Sequence, residues 1–324
     1  MIRMSMGAGN GQESSTEKGS KNTDKLNMAA LRVSFFLLLS LVFSNALSWS
    51  QGLNFDVSLA IDWARKEMNA QTSFNLAEAG IRLPNGRFMG EEILSRAFPR
   101  LLRPAFLSIR VDSNSTVRDL IDRGEISLED LDRLSLAAEQ IPPSLSLDLT
   151  RMNGRYRVFM EGLNTLLMQH RRVTEPERPL IPVPSANHTG IIIIADGELP
   201  IHGRRTEAFV EPSLFPKIWD SNMNIIYEKN MMEPGRGFIV RYTTRDNIFR
   251  PTPSGLEGEL AAFLGPNPLR ILARGVFGIN PTDPIIDRDD AMLILSNENN
   301  RRLLREGRVL FVLHESQLTS VMHY

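Results

Sequence analysis

The segment "DRDDAMLILSNE", Asp287 to Glu298, carries carboxylates at its first, third and twelfth positions, the spacing of a calcium-binding loop. Such a loop also needs an oxygen ligand at its fifth position and glycine at its sixth. Those positions are Ala291 and Met292, and apolar residues recur at helical spacing, so the segment reads as an acidic helix start. No two of the histidines His170, His188, His202, His314 and His323 stand three or four apart, and no metal site is assigned. "RRLLREGR" gathers Arg301, Arg302, Arg305 and Arg308. Pairing with Glu298 and Glu306 would make this a solvated helix face, whereas a contact for phosphate headgroups is the sharper reading. There is no G-x-S-x-G, Walker or H-E-x-x-H sequence, and "GAGNG" at Gly7 to Gly11 follows no strand. No catalytic residue, metal ligand or cofactor is therefore assigned. The sequons at Asn114 and Asn187 matter only in a pathway that glycosylates.

The chain has 324 residues, 42% hydrophobic and 23% charged, with a formal net charge of −1. That balance suits a folded protein and gives no electrostatic reason to expect nucleic acid as a partner. Beyond Lys25 the lysines are Lys66, Lys217 and Lys229. Cysteine is absent, which excludes disulfides, thiolate metal sites and a lipidated cysteine. Val33 to Phe43 is apolar except for Ser34 and Ser40, with Arg32 before it and small residues at Ser44, Ala46 and Ser48 after it. A membrane span needs roughly 20 apolar residues, an export signal about 7–15. Residues 28–48 are accordingly read as a signal peptide starting at Met28, with cleavage between Leu47 and Gln51; an uncleaved inner-membrane anchor is the alternative. Residues 1–27 are polar and read as a disordered leader, not necessarily translated. The protein is expected in the periplasm or outside the cell.

The elements that follow give an α+β fold: two small domains of mixed helix and strand, with mainly antiparallel sheets. Residues 53–172 form the first, a proline-rich linker covers 173–189, and 190–314 form the second. "FDVSLAIDWARKEMNAQ" has Val57, Ala60, Ile61, Ala64 and Met68 at helical spacing. "GEEILSRAFPRLLRPAFLSIRV" continues as a helix that Pro99 and Pro104 should kink or end. Two short helices follow, the second capped by Ser127 with Asp130 three residues on. "SLSLDLTRMNGRYRVFMEGL" reads as a hairpin turning at Asn153-Gly154. In the second domain "GIIIIADG" and "RVLFVL" are buried strands, open to pairing with neighbours if they lie at sheet edges. "KIWDSNMNIIYEK" gives two strands around Asp220 to Asn224, "GFIVRYT" another, and "LRILARGVFG" a strand with a bulge at Gly275. "SGLEGELAAFLG" is a helix ending at Gly265, and "DRDDAMLILSNENNRRLLREG" a helix or helix pair closed by Gly307.

Several of these blocks resemble a family of exported bacterial envelope proteins that includes small outer-membrane lipoproteins and the flagellar disk or ring proteins FlgP and FlgT. In the first half they are "IDWARK", "VDSNSTVRDLI" and "MNGRYRVFMEGL". In the second they are "GIIIIADG", "EPSLFPKIWD" before "NIIYE", "ILARGVFGINPTDPIIDRDDAMLIL" and "LLREGRVLFVL". The resemblance implies a non-catalytic scaffold or assembly protein, with envelope or flagellar proteins as partners and self-association. A binding module for peptidoglycan or anionic lipid headgroups, in peripheral contact with a membrane, is the alternative. Without cysteine the lipid anchor of many members is missing.

Overall fold

The computed structural model describes residues 53–324 apart from 171, 234, 236 and 250–257. The leader and signal segment lie outside the described residues.

The stretch expected to be helical is instead a hairpin, β1 (Phe55–Asp62) and β2 (Glu67–Asn75). Its side chains alternate: Val57, Leu59, Ile61, Met68, Ala70, Thr72 and Phe74 are buried and their strand neighbours are not, except Glu67 at the start of β2. Leu59 is the residue that decides between the periods, because it fits the strand face and falls outside the helical set. The connecting turn uses Asp62, which accepts from the Arg65 N–H at 3.0 Å, and Lys66 in a left-handed conformation at φ 57°. Helix α1 (Arg87–Ser108) then runs through both Pro99 and Pro104 without ending at either. Leu94, Phe98, Leu102, Ala105 and Phe106 form one buried stripe, and that packing outweighs the two lost backbone bonds. Helices α2 (Val117–Asp122) and α3 (Leu128–Leu136) both open with capping boxes, Thr116 with Asp119 and Ser127 with Asp130.

The second hairpin exists, but its turn lies earlier than expected. Strands β3 (Glu139–Leu145) and β4 (Arg151–Phe159) are joined by residues 146–150. There Asp148 accepts from the Ser146 and Thr150 hydroxyls, and Leu149 takes φ 58°. Asn153 and Gly154 sit inside β4. Glycine is required because a Cβ at 154 would come within 2.9 Å of the Tyr156 ring, which folds back to stack on Phe98 at 3.5 Å. Helix α4 (Glu161–Leu167) follows.

The second half begins with β5 (Ile191–Ala195), the two-residue pair β6 (Leu199–Pro200) and β7 (Glu207–Ala208), then β8 (Ile218–Asp220) and β9 (Ile225–Tyr227). Next come β10 (Arg241–Thr244), α5 (Arg245–Phe249), α6 (Gly258–Leu264), β11 (Leu269–Phe277) and β12 (Asp283–Ile286). A helix pair, α7 (Arg288–Leu295) and α8 (Glu298–Arg305), leads through Gly307 at φ 65° into β13 (Val309–Leu313). A last turn of helix, α9 (Glu315–Leu318), feeds β14 (Thr319–His323).

Two main sheets result. The first, β14-β1-β2-β4-β3, is antiparallel throughout. Its edge strand β14 comes from the far end of the chain. The second has the order β10-β13-β5-β11-β12-β8-β9 and is parallel through its middle, with β11–β12 and β8–β9 antiparallel. Counting both sheets and the β6–β7 pair, antiparallel pairings predominate, and the fold is α+β. The register of β11 slips at Ala273/Gly275, the expected bulge. Strands β5 and β13 lie side by side in the interior of their sheet, so neither offers an edge. One face of that sheet joins the main core, and the other is covered by Ile248, Leu260, Phe263 and Leu264 from α5 and α6.

Candidate functional site

The two halves share one apolar core, and polar contacts at several points fix how they meet. From the β1–β2 turn, Trp63 packs edge-on against Tyr242 with ring centroids 6.0 Å apart. From the loop before α2, the Val111 and Arg110 carbonyls accept from Phe215 and Leu214 N–H groups at 2.8 and 3.0 Å, and the Ser113 carbonyl accepts from Asn280. Arg110 adds an ion pair to Glu211 at 2.7 Å. The α4 residue Asn164 donates to the Gly237 carbonyl at 2.7 Å, and His170 Nε2 lies 2.8 Å from the Met232 carbonyl. The blocks "IDWARK", "VDSNST", "EPSLFPKIWD" and "GINPTDP" thus meet at this seam.

Two ionisable groups are buried along it. The Lys66 ammonium donates to the Val240 carbonyl and lies 3.5 Å from the Phe238 ring centre, with Tyr242 further off. Burial, and then the charge of Arg241, push its pKa well below the ordinary lysine value, with Glu161 acting weakly the other way. Asp283 accepts from the Lys217 backbone N–H at 3.1 Å, the Trp219 indole at 3.2 Å and the Thr282 hydroxyl at 2.9 Å. Burial pushes its carboxyl up, against those hydrogen bonds. Both groups hold neighbouring backbone segments in place. Sequence reasoning missed Lys66, whose signal was its rarity among the arginines.

The outer face of the first sheet is different. Cross-strand register aligns His323, Ser58, Gln71 and Arg155 in one row, and Asp56, Ser73, Asn153 and Ser144 in the next. These side chains line a hollow of about 710 Å³. Arg151 is neutralised by Asp56, and Arg157 by Glu67 and Glu139. Arg155 is exposed and has no ion-pair or hydrogen-bond partner among the described residues. A free guanidinium among amides and hydroxyls can take a carboxylate or phosphate oxygen pair.

The residues singled out in the sequence are dispersed. Arg301 is buried, donating to the Leu295 carbonyl and Glu298, and Arg302 pairs with Glu306. Arg305 meets Glu175 at 3.0 Å and Glu298 at 3.3 Å, while Arg308 meets Glu306 and the Thr189 carbonyl. Arg301 beside Glu298 holds that carboxyl below the usual range. The cluster is internally paired. Asp287 stands just before α7 with its carboxylate on Arg274, Asp289 lies in the first turn of α7 and Glu298 begins α8, so the segment has no loop geometry. The histidines stand apart, His314 capping α9 and His188 against Asn267, and no group of three or more metal-capable side chains converges among the described residues. No helix among the described residues is long and apolar enough to cross a membrane.

The molecule is thus a two-part α+β protein whose halves meet along a fixed seam. Residues 54–166 match the family model described as Treponema pallidum Tp0624, N-terminal domain, and residues 190–315 match Treponema pallidum Tp0624, second domain. Each match covers less than half of the chain, and the two lie in series along it, as a likeness to those two domains. A search of curated proteins found no match.

Proposed function

We propose that the protein is a non-catalytic, exported envelope scaffold or assembly protein that acts as a single block, with the flagellar motor the first place to look for its partners. The observation that supports this most is the shared core, across which Trp63 packs on Tyr242, Lys66 reaches the Val240 carbonyl and Arg110 pairs with Glu211. Such a body is suited to docking, and its FlgP- and FlgT-like sequence blocks point to the envelope. Crosslinking in intact cells tests the reading. Recovery of envelope or motor proteins, with impaired motility or envelope integrity on gene deletion, would support it. A deletion strain normal in both, with no crosslinked neighbour, would end it.

A second reading rests on Arg155. A peptidoglycan or anionic-headgroup contact would use the open sheet face and not the paired arginines of α8. Salt-sensitive binding to anionic vesicles or cell wall, lost in Arg155→Glu and kept in Arg302→Glu, would favour it.

A further inference from the structure

Among the strands that edge the two sheets, most are blunted. Strand β3 carries Pro142 and Pro143, which cannot donate, and its register slips between Ile141 and Ser144. Strand β9 has three residues, and β10 has four before the chain turns directly into α5. Strand β14 has none of these devices. Its sequence, Thr-Ser-Val-Met-His, contains no proline, lysine or carboxylate, and Val321 is 56% exposed.

The direction of its backbone groups follows from the ladder. Val57 and Tyr324 exchange both bonds, at 2.8 and 3.1 Å, and Trp63 donates to the Leu318 carbonyl. Antiparallel alternation then turns residues 318, 320, 322 and 324 toward β1, and leaves the N–H and C=O groups of Thr319, Val321 and His323 pointing outward. That outward row is self-complementary. A second β14 laid antiparallel across a two-fold axis at Val321 pairs Val321 with Val321 and Thr319 with His323. It forms about six backbone hydrogen bonds and opposes no like formal charges. The exposed valine lies at the centre, where it becomes covered.

We propose that the edge of β14, which no further strand pairs among the described residues, is a homodimer interface, through which two copies join their first sheets into one continuous sheet. This rests on the assembly reading above and names the surface that would carry it.

The chain has no cysteine, so introduced thiols report register without interference. In the proposed pairing Ser320 faces Met322 of the second copy, with Cα atoms about 4.5 Å apart, inside disulfide range. With the full chain purified as the cell processes it, Ser320→Cys and Met322→Cys should each resist disulfide formation alone. Mixed under mild oxidation, they should give a crosslinked dimer. Val321→Pro removes only an outward N–H and should weaken the dimer about tenfold or more while leaving the circular dichroism spectrum unchanged. Folded variants that do not crosslink on mixing, or Ser320→Cys alone crosslinking as readily as the mixture, would overturn the proposal. If wild-type protein is oligomeric by light scattering yet the mixture stays uncrosslinked, the edge is wrong and the assembly reading stands. A monomer that also captures no envelope protein removes both.

Discussion

The two sheets differ in what covers them. In the second, β5 is buried at every position but one and β13 at every position, because apolar layers press on both faces. In the first, β1, β4 and all of β2 but its first residue, Glu67, alternate, with helices on one face and a polar hollow on the other. Continuous apolar runs mark a sheet covered twice, and alternation marks one with a face to spare. The first sheet therefore keeps an open polar face with the exposed Arg155 and, among the described residues, an unpaired edge along β14. The second supplies rigidity.

This contrast can be broken by substitution. Phe311→Ala, in the doubly covered strand β13, should cost about 3–5 kcal/mol in urea unfolding. A cost under about 1 kcal/mol would mean the second sheet is not the rigid partner. Lys66→Met keeps the packing at the seam and removes a buried cation, so it should raise the thermal midpoint at pH 7. The folded pKa of Lys66 lies below the unfolded value near 10.5, so between the two the unfolded chain binds more protons and wild-type stability rises with pH. The advantage of the variant should therefore shrink as pH climbs toward 10.5. A constant difference across that window would mean Lys66 is not held as a disfavoured cation. Ser127→Ala removes the α3 cap and should cost about 1 kcal/mol. Gln71→Ala, on the open face, should stay within about 0.5 kcal/mol, and a larger loss would show that face to be packed.

Much of the second half was legible because its signals are local. The Ile191–Ile194 run, the bulge at Gly275 and the helix pair with its acidic start and its end at Gly307 need only neighbouring residues to be read. The same holds for Ser127 with Asp130. The errors came where long-range packing decided. Val57, Ala60, Ile61, Ala64 and Met68 fit a helix that leaves Leu59 out, and the strands on either side of β1 select the alternating face that buries it. Asn153-Gly154 looked like a turn because glycine's role there, making room for the Tyr156 ring, depends on stacking with Phe98. The return of β14 to β1 joins residues more than 250 positions apart, and no local pattern carries it. The seam showed in the sequence only as short blocks of unexplained composition.

The linker offers the most direct test of whether the halves act as one block. Its prolines Pro176, Pro179, Pro182 and Pro184 leave it without regular pairing, though Val183, Ser185 and His188 are tied to Ser296, Leu293 and Asn300. Limited proteolysis between Arg171 and His188, followed by gel filtration without denaturant, separates the alternatives. The account predicts that the two fragments elute together at the size of the intact protein and part only on denaturation. Fragments that elute separately would contradict it, showing two independent domains on a string.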